Sequence, residues 1–408
     1  MVYLDITSIH WPSRDERPFR KKRSSWPCEN CIPGLFPKTD QFAGDPYIRK
    51  VELMQNNVNE AAQTEPLRSK PRLTVLVPAY NEAKNIAETI QSLQQQTAPP
   101  EEIIVIDDFS SDNTGDIARS MGVTVVRPPK NTGSKAGAQN FGLRLVKTEY
   151  CMAVDADTTL APDGIEKILK AMEDPEVAAA CGFVVPRVVR SVWERGRYIE
   201  YLFAFSFYKP IQDLYDKPMI SSGCFSAYRT DILLANGGWS LRTLAEDMDL
   251  TWSFYRDGHK VKFVPEAVCY PIEPPNLNMM TKQLKRWSHG FIQNVVLHWK
   301  SVLNLPYLRS IIAVAAWDAM VASLMFLVAI PLLSIFVSPI LLLSYLIDIP
   351  AVAIPVIWTG WRRRELGKVL TSLPSFFALR VVNAIFMVRA AVLELILHKP
   401  LLVYEKGH

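Results

Sequence analysis

The sequence predicts an α/β domain built on a mainly parallel sheet, followed by interfacial and transmembrane α-helices. Short β-branched runs alternate with helix-period segments between Leu73 and Asp157, and two of those runs end in paired carboxylates. A long apolar tract, Ile311 to Trp358, holds Asp318 and Asp348 as its only charged residues. Alternating strands and helices imply a parallel sheet with helices on both faces.

Each element follows from its pattern. Leu73–Pro78 (LTVLVP) is a buried strand, and Ala83–Gln95 is a helix with Ile86, Ile90 and Leu93 on one side. Ile103–Asp108 (IIVIDD) is a second buried strand, Thr114–Met121 a helix and Val123–Arg127 a strand. Ala136–Leu145 reads as helix, and Cys151–Asp157 (CMAVDAD) as a strand ending in two more carboxylates. Ligands bind beyond the C-terminal ends of such strands, so Asp107, Asp108, Asp155 and Asp157 are expected at that edge. Asp112 reads as the cap of the helix that follows it.

Val192–Tyr215 is dense in aromatic residues. Met280, Leu284, Trp287, Phe291 and Val295 fall at helical spacing with Lys282, Lys285 and Arg286 among them, a pattern for a helix at a membrane surface. The same pattern fits a helix packed on the core; the adjoining apolar tract favours the interface. That tract is long enough for two spans of roughly 20 residues, with a turn near Val337–Pro339. The last segment, Val369–Leu397, contains Arg380, Arg389 and Glu394, which do not share one face. It fits a span with its charges turned inward or a helix in the interface.

The chain has 408 residues, a formal net charge of +4 and six cysteines. The small charge and the lack of a basic stripe argue against nucleic acid as a partner. Arg362, Arg363 and Arg364 cluster beside the apolar tract, as cytoplasmic flanks do. The first forty residues are polar, include Arg20–Arg23 and lack the apolar run of a secretory signal, so they are expected to stay in the cytoplasm. Cys28 and Cys31 form one Cys-x-x-Cys pair without a second at zinc spacing; the others read as reduced, buried residues. Residues 1–70 read as a loosely ordered or packed-on extension, 71–300 as the cytosolic catalytic domain with amphipathic interfacial helices, and 301–408 as a membrane region with two or three transmembrane helices.

Asp155-Ala-Asp157 can hold Mg²⁺ or Mn²⁺ against a nucleotide diphosphate, since these cations take carboxylate, phosphate and water oxygens. Asp108 can accept hydrogen bonds from a base or ribose. Leu244–Leu250 (LAEDMDL) offers carboxylates, one of which can take a proton from an acceptor hydroxyl. Arg286 can grip a pyrophosphate, and Trp287 offers a face to a sugar ring.

Together these residues resemble the processive branch of glycosyltransferase family two: cellulose, chitin, hyaluronan and poly-N-acetylglucosamine synthases. The resemblance covers about Arg72 to Trp299. Its elements stand in order: Val77-Pro-Ala-Tyr-Asn-Glu82, Asp107-Asp108, Asn131-Thr-Gly-Ser-Lys135-Ala-Gly, Asp155-Ala-Asp157, Ser222-Gly-Cys-Phe-Ser226, Ala245-Glu-Asp247 and Gln283-x-x-Arg286-Trp287. It implies a GT-A-like, Rossmann-type domain and an inverting transferase that builds β-linkages from a nucleotide sugar, expected to be UDP-linked. Tyr80, Glu82 and Asp108 would bind the nucleoside, and Lys135 would approach the diphosphate. Asp155 and Asp157 would hold donor and metal, and Asp247 would be the general base. Gln283, Arg286 and Trp287 would close over the pyrophosphate, with Trp287 at the acceptor entrance. Gly223, Cys224, Phe225 and Glu246 would face the acceptor.

Three positions depart from that pattern: Ala245 for a common threonine, Phe109 for a common glycine, and Ser134 between Gly133 and Lys135. The acceptor is expected to be a growing polysaccharide at the cytoplasmic face of a membrane. With few spans, a homo-oligomer or an accessory membrane chain is a candidate partner. A single addition to a lipid-linked or other acceptor is the alternative, and a non-catalytic sugar-nucleotide-binding regulator the second. A transporter is disfavoured, because the membrane part is short for repeated halves.

Overall fold

A computed structural model describes residues 72–346 and 348–401. The extension expected over 1–70 and the Cys28–Cys31 pair lie outside them. In chain order the elements are β1 (Leu73–Ala79), α1 (Ile86–Gln94), β2 (Glu102–Asp107), α2 (Thr114–Ser120), β3 (Thr124–Val126), α3 (Lys135–Leu143) and β4 (Tyr150–Val154). Then follow β5 (Thr159–Leu160), α4 (Gly164–Ala171), β6 (Val177–Val184), α5 (Val192–Phe203), α6 (Lys209–Asp213), β7 (Phe225–Arg229), α7 (Thr230–Ala235), α8 (Glu246–Arg256), β8 (Lys260–Tyr270) and α9 (Leu277–Leu303). Three membrane-length helices complete the chain: α10 (Leu308–Phe336), α11 (Pro339–Arg362) and α12 (Leu366–Ile396).

The strands form one sheet in the order β3-β2-β1-β4-β7-β6-β8-β5. β3, β2, β1 and β4 run parallel, as do β6 and β8, while β7 and β5 are antiparallel to their neighbours. Period-two alternation divides the strand residues between two buried faces. Val75, Val77, Met152 and Val154 pack on α1, α4 and α5, whereas Leu76, Ile104, Ile106 and Ala153 pack on α3 and α8.

Two predicted boundaries move for local reasons. α1 starts three residues later than its apolar pattern. The preceding turn is tied to the loop after β2 by Asn81 N to Ser110 Oγ at 3.0 Å and Ser111 N to Asn81 Oδ1 at 2.8 Å. β4 ends at Val154 because Asp155–Thr158 closes a turn, Thr158 N donating to Asp155 O at 3.0 Å.

Part of the stripe on α9 is covered by protein. Met280 and Leu284 are buried and pack on Leu379 of α12; Val296 and Trp299, near its other end, stay exposed. α12 is long and apolar enough to cross a membrane; it turns Arg380 and Glu394 toward its neighbours, while Arg389 is exposed. Arg380 lies 3.4 Å from Asp318 of α10. Glu394 accepts from Gln293 Nε2 at 2.8 Å and lies 2.6 Å from His289 Nδ1, both on α9. Ile335, Phe336 and Ile354 are at least 67 % exposed, as side chains facing lipid would be.

Gly182 sits where the β6–β8 register shifts. A Cβ there would fall 2.5 Å from Ala267 O and 2.4 Å from the Phe225 ring. Gly182→Ala is therefore expected to cost about 1–3 kcal/mol, read as a lower thermal unfolding midpoint of the solubilised protein; an unchanged midpoint would refute this packing.

Candidate active site

The parallel strands bring the loops after β1, β2 and β4 to one edge of the sheet. Antiparallel β7 begins at that same edge: Phe225 pairs with Val154, and Asp155 N donates to Cys224 O at 3.4 Å. The stretch before β7 is thereby laid beside the Asp155–Asp157 turn. The chain leaving β8 reaches the edge as well and delivers Glu273. α9 closes it with Gln283, Arg286 and Trp287. One cavity of about 1460 Å³ is lined by these loops and continues between α10, α11 and α12 as far as Phe326, Val352 and Asn383.

At the first end, Tyr80 and Glu82 line the cavity. Asp108 is buried there, and its two oxygens accept from Thr132 N at 2.8 Å and Thr132 Oγ1 at 2.9 Å. Burial raises its pKa, and the two bonds only partly offset that. Asp108 thus anchors the 131–133 loop while facing the pocket. Asp107 faces away from it, pairing with Arg127 at 3.2 Å. Asp112 accepts from Ala83 N at 3.1 Å and from Thr114 N at 3.1 Å; it ties the turn before α2, whose N-cap is Asn113 rather than Asp112.

In the middle, Lys135 opens α3, whose N-cap is Ser134 (Oγ accepts from Gly137 N at 3.1 Å). The Lys135 ammonium pairs with Asp155 and donates to Gly223 O at 3.0 Å. Asp247, near the start of α8, accepts from Gly223 N at 2.9 Å through Oδ2. A Cβ on Gly223 would lie 3.1 Å from both Asp247 Oδ2 and Lys135 Nζ, so a side chain there would press on both. Burial raises the Asp155 pKa, with Lys135 and Arg286 opposing and Asp157 adding to the rise. Burial, then neighbouring Asp247, raises Glu246.

The arrangement gathers Tyr80, Glu82, Asp108, Lys135, Asp155, Asp157, Gly223, Cys224, Glu246, Asp247, Gln283, Arg286 and Trp287 around one cavity. Phe225 is the correction. Its side chain is wholly buried, because strand alternation turns it into the core with Ala227. Sequence reasoning missed Glu273, which is buried, accepts from Tyr201 Oη at 2.9 Å and lines the pocket. Burial raises its pKa against the opposing effects of Arg197 and Tyr201. Its surroundings, PIEPP, carry no periodic signal.

Asp155 and Asp157 offer two hard oxygen ligands, the donor chemistry that Mg²⁺ and Mn²⁺ accept. No group of three or more His, Cys, Asp or Glu among the described residues is set to chelate a metal alone. The pair therefore fits a cation that completes its shell with phosphate and water.

The mostly parallel sheet, with carboxylates, a lysine and an arginine converging at its C-terminal edge, is a GT-A-like domain. Residues 74–235 match the model of "Glycosyl transferase family 2". The chain is homologous to a "Poly-beta-1,6-N-acetyl-D-glucosamine synthase" of Staphylococcus aureus (strain COL), 29 % identical over 223 residues, covering 53 % of this chain and 54 % of that one. The synthase of the same name from Staphylococcus epidermidis matches equally, at 29 % over 223 residues. The chain spans about half the length of the curated relatives it matches. A mannosyltransferase from Pyrobaculum calidifontis, solved in complex with GDP-Man and Mn²⁺, shares the fold: TM-score 0.54 at 20 % identity, over 85 % of this chain and 95 % of that one.

α8 is held from behind by Asp249, which is fully buried. It accepts from Arg242 Nε and Nη2, each at 2.8 Å, and lies 2.6 Å from His298 Nε2 of α9. Burial alone would raise its pKa, but the bonds from Arg242 and His298 outweigh burial and hold it below the usual carboxylate range. A depressed pKa gives stability that is present above the unfolded value, about 3.9, and lost as pH falls through the folded one. Asp249→Asn should cost roughly 1–3 kcal/mol at pH 7. In unfolding midpoints measured against pH, the gap to wild type should narrow below about pH 4; a gap independent of pH would refute the ion-pair role.

Proposed function

We propose that this chain is an inverting glycosyltransferase. It moves a hexosyl or N-acetylhexosaminyl group from a nucleotide sugar, UDP-linked, to a growing polysaccharide at the membrane, forming β-linkages. The observation that carries this reading is the continuity of the cavity from Asp155, Asp157 and Asp247 to the space between the membrane-length helices. A product made at Asp247 would meet the membrane region without leaving the protein. The match to polymer synthases supports the polymer product.

In the proposed reaction the donor's diphosphate lies between Lys135 and Arg286, and its nucleoside against Tyr80, Glu82 and Asp108. Asp247, aimed by the Gly223 amide, takes the proton from the acceptor hydroxyl. That oxygen attacks the anomeric carbon as the bond to the diphosphate breaks, so the configuration inverts. The electron pair departs with the diphosphate, whose charge Lys135 and Arg286 neutralise. A Mg²⁺ or Mn²⁺ held by Asp155 and Asp157 would add Lewis-acid neutralisation of that diphosphate; the Mn²⁺ in the complex of the mannosyltransferase with the same fold supports it. Trp287 and Cys224 would border the acceptor.

The Arg362–Arg364 turn supports a catalytic domain on the cytoplasmic face. The guanidinium of Arg363 stands 5.2 Å from the Phe183 ring of β6, so the basic turn and the domain share a side. The apolar walls at the membrane end of the cavity, Phe326, Val352 and Phe376, favour one other reading: a single addition to a lipid-linked acceptor.

The test uses purified protein in nanodiscs with Mg²⁺ or Mn²⁺, a panel of radiolabelled nucleotide sugars, and sized products. High polymer from one donor is expected. One added sugar, seen only with a lipid acceptor supplied, would select the second reading, and no transfer from any donor would overturn both. Asp247→Asn should lower turnover about 10²–10⁴-fold while nucleotide binding persists, and Asp157→Ala should abolish the metal dependence of donor binding. Full turnover in the first, or metal-dependent binding retained in the second, would remove that assignment.

A further inference from the structure

α5 carries a side chain that no sequence pattern marked. Arg197 is fully buried, and a buried guanidinium persists only where its charge is matched. It pairs with Glu200 one turn on, and its Nε, which makes no hydrogen bond, lies 3.5 Å from Glu273 Oε2. Its Nη2 donates to Gln283 Oε1 at 2.8 Å and lies 3.1 Å from Met280 Sδ. Its Cζ lies over the Trp287 ring, 4.5 Å from the ring centre. Glu200 in turn accepts from Asn383 Nδ2 of α12 at 3.1 Å. Gln283 and Trp287 are therefore held from outside α9, by one side chain on another helix.

We propose that Arg197 is a positioning residue: its guanidinium fixes the amide of Gln283 and the ring of Trp287 at the acceptor side of the cavity. Only a planar fork can bond in its plane while its face covers an indole; an ammonium keeps the charge and loses both geometries. Trp287 is 36 % exposed toward the cavity. Without the cation over it, the ring is free to turn into the space the acceptor needs. A misplacement of about 1 Å at a reacting centre costs on the order of 10²-fold in rate. The effect on rate rests on the transferase reading above; the contact with Trp287 does not.

The experiment uses the full chain in nanodiscs, comparing wild type, Arg197→Lys and Arg197→Met. The first readout is independent of transfer. Emission from Trp287 is isolated as the difference between each protein and its Trp287→Phe counterpart, and its quenching by acrylamide is measured. Quenching should rise about twofold in Arg197→Met, where the covering cation is gone; unchanged quenching overturns the proposal. The second readout is the kinetic split. Arg197→Lys, which keeps a cation in the pocket and so preserves the fold, should lower kcat roughly 10- to 100-fold with donor KM within about twofold. Full kcat in Arg197→Lys, or a loss confined to donor KM, overturns it. If wild type transfers no sugar, the proposed function falls, and the quenching measurement still decides the Arg197 contact.

Discussion

The close approach of α9 to the start of α8 is the constraint on which the site depends. A Cβ at Gly290 would meet Ala245 N and Cβ at 2.8 Å. With no side chain there, α9 can lie across the residue that precedes Glu246 and Asp247. Asn294 Nδ2 then reaches Ala245 O at 3.1 Å, and Gln293 Oε1 accepts from Leu244 N at 3.0 Å. The helix that brings Gln283, Arg286 and Trp287 is thus registered against the helix that brings Asp247. Its other side meets α12 through Met280, Leu284 and Glu394. The α/β domain and the membrane-length helices thus share α9.

The charged groups around that helix follow a common rule. A buried charge is tolerated only with partners, and two such pairs here, with one more exposed pair, join different elements. Asp249 of α8 meets His298 of α9, Glu394 of α12 meets His289 of α9, and Arg380 of α12 meets Asp318 of α10. These pairs fix relative positions as much as they stabilise. They also account for the polar residues that interrupt apolar segments in the sequence.

The departures from the family pattern have local physical sense. Ser134 is the N-cap that starts α3, which places Lys135 in its first turn. Ala245 is small where Gly290 presses on it. Phe109 adopts φ 70, a conformation that favours glycine, and its ring lies 4.7 Å from the Arg127 guanidinium.

The sequence by itself determined the alternation of strands and helices, the sheet edge at which the candidate residues gather, and the membrane-length segments. Each of these is a local periodicity or a composition. It also marked Asp155, Asp157, Asp247 and the Gln-x-x-Arg-Trp set, because those residues stand in short ordered motifs. Only the tertiary structure decided that β7 is antiparallel, which lays Gly223 beside Asp155 and turns Phe225 inward. Only it packed Met280 and Leu284 of α9 on α12, turned Arg380 and Glu394 of the last helix toward its neighbours, brought Glu273 to the cavity and set Arg197 against Trp287. Those outcomes depend on contacts between residues far apart in the chain, and no spacing along one segment encodes which distant surface will meet it.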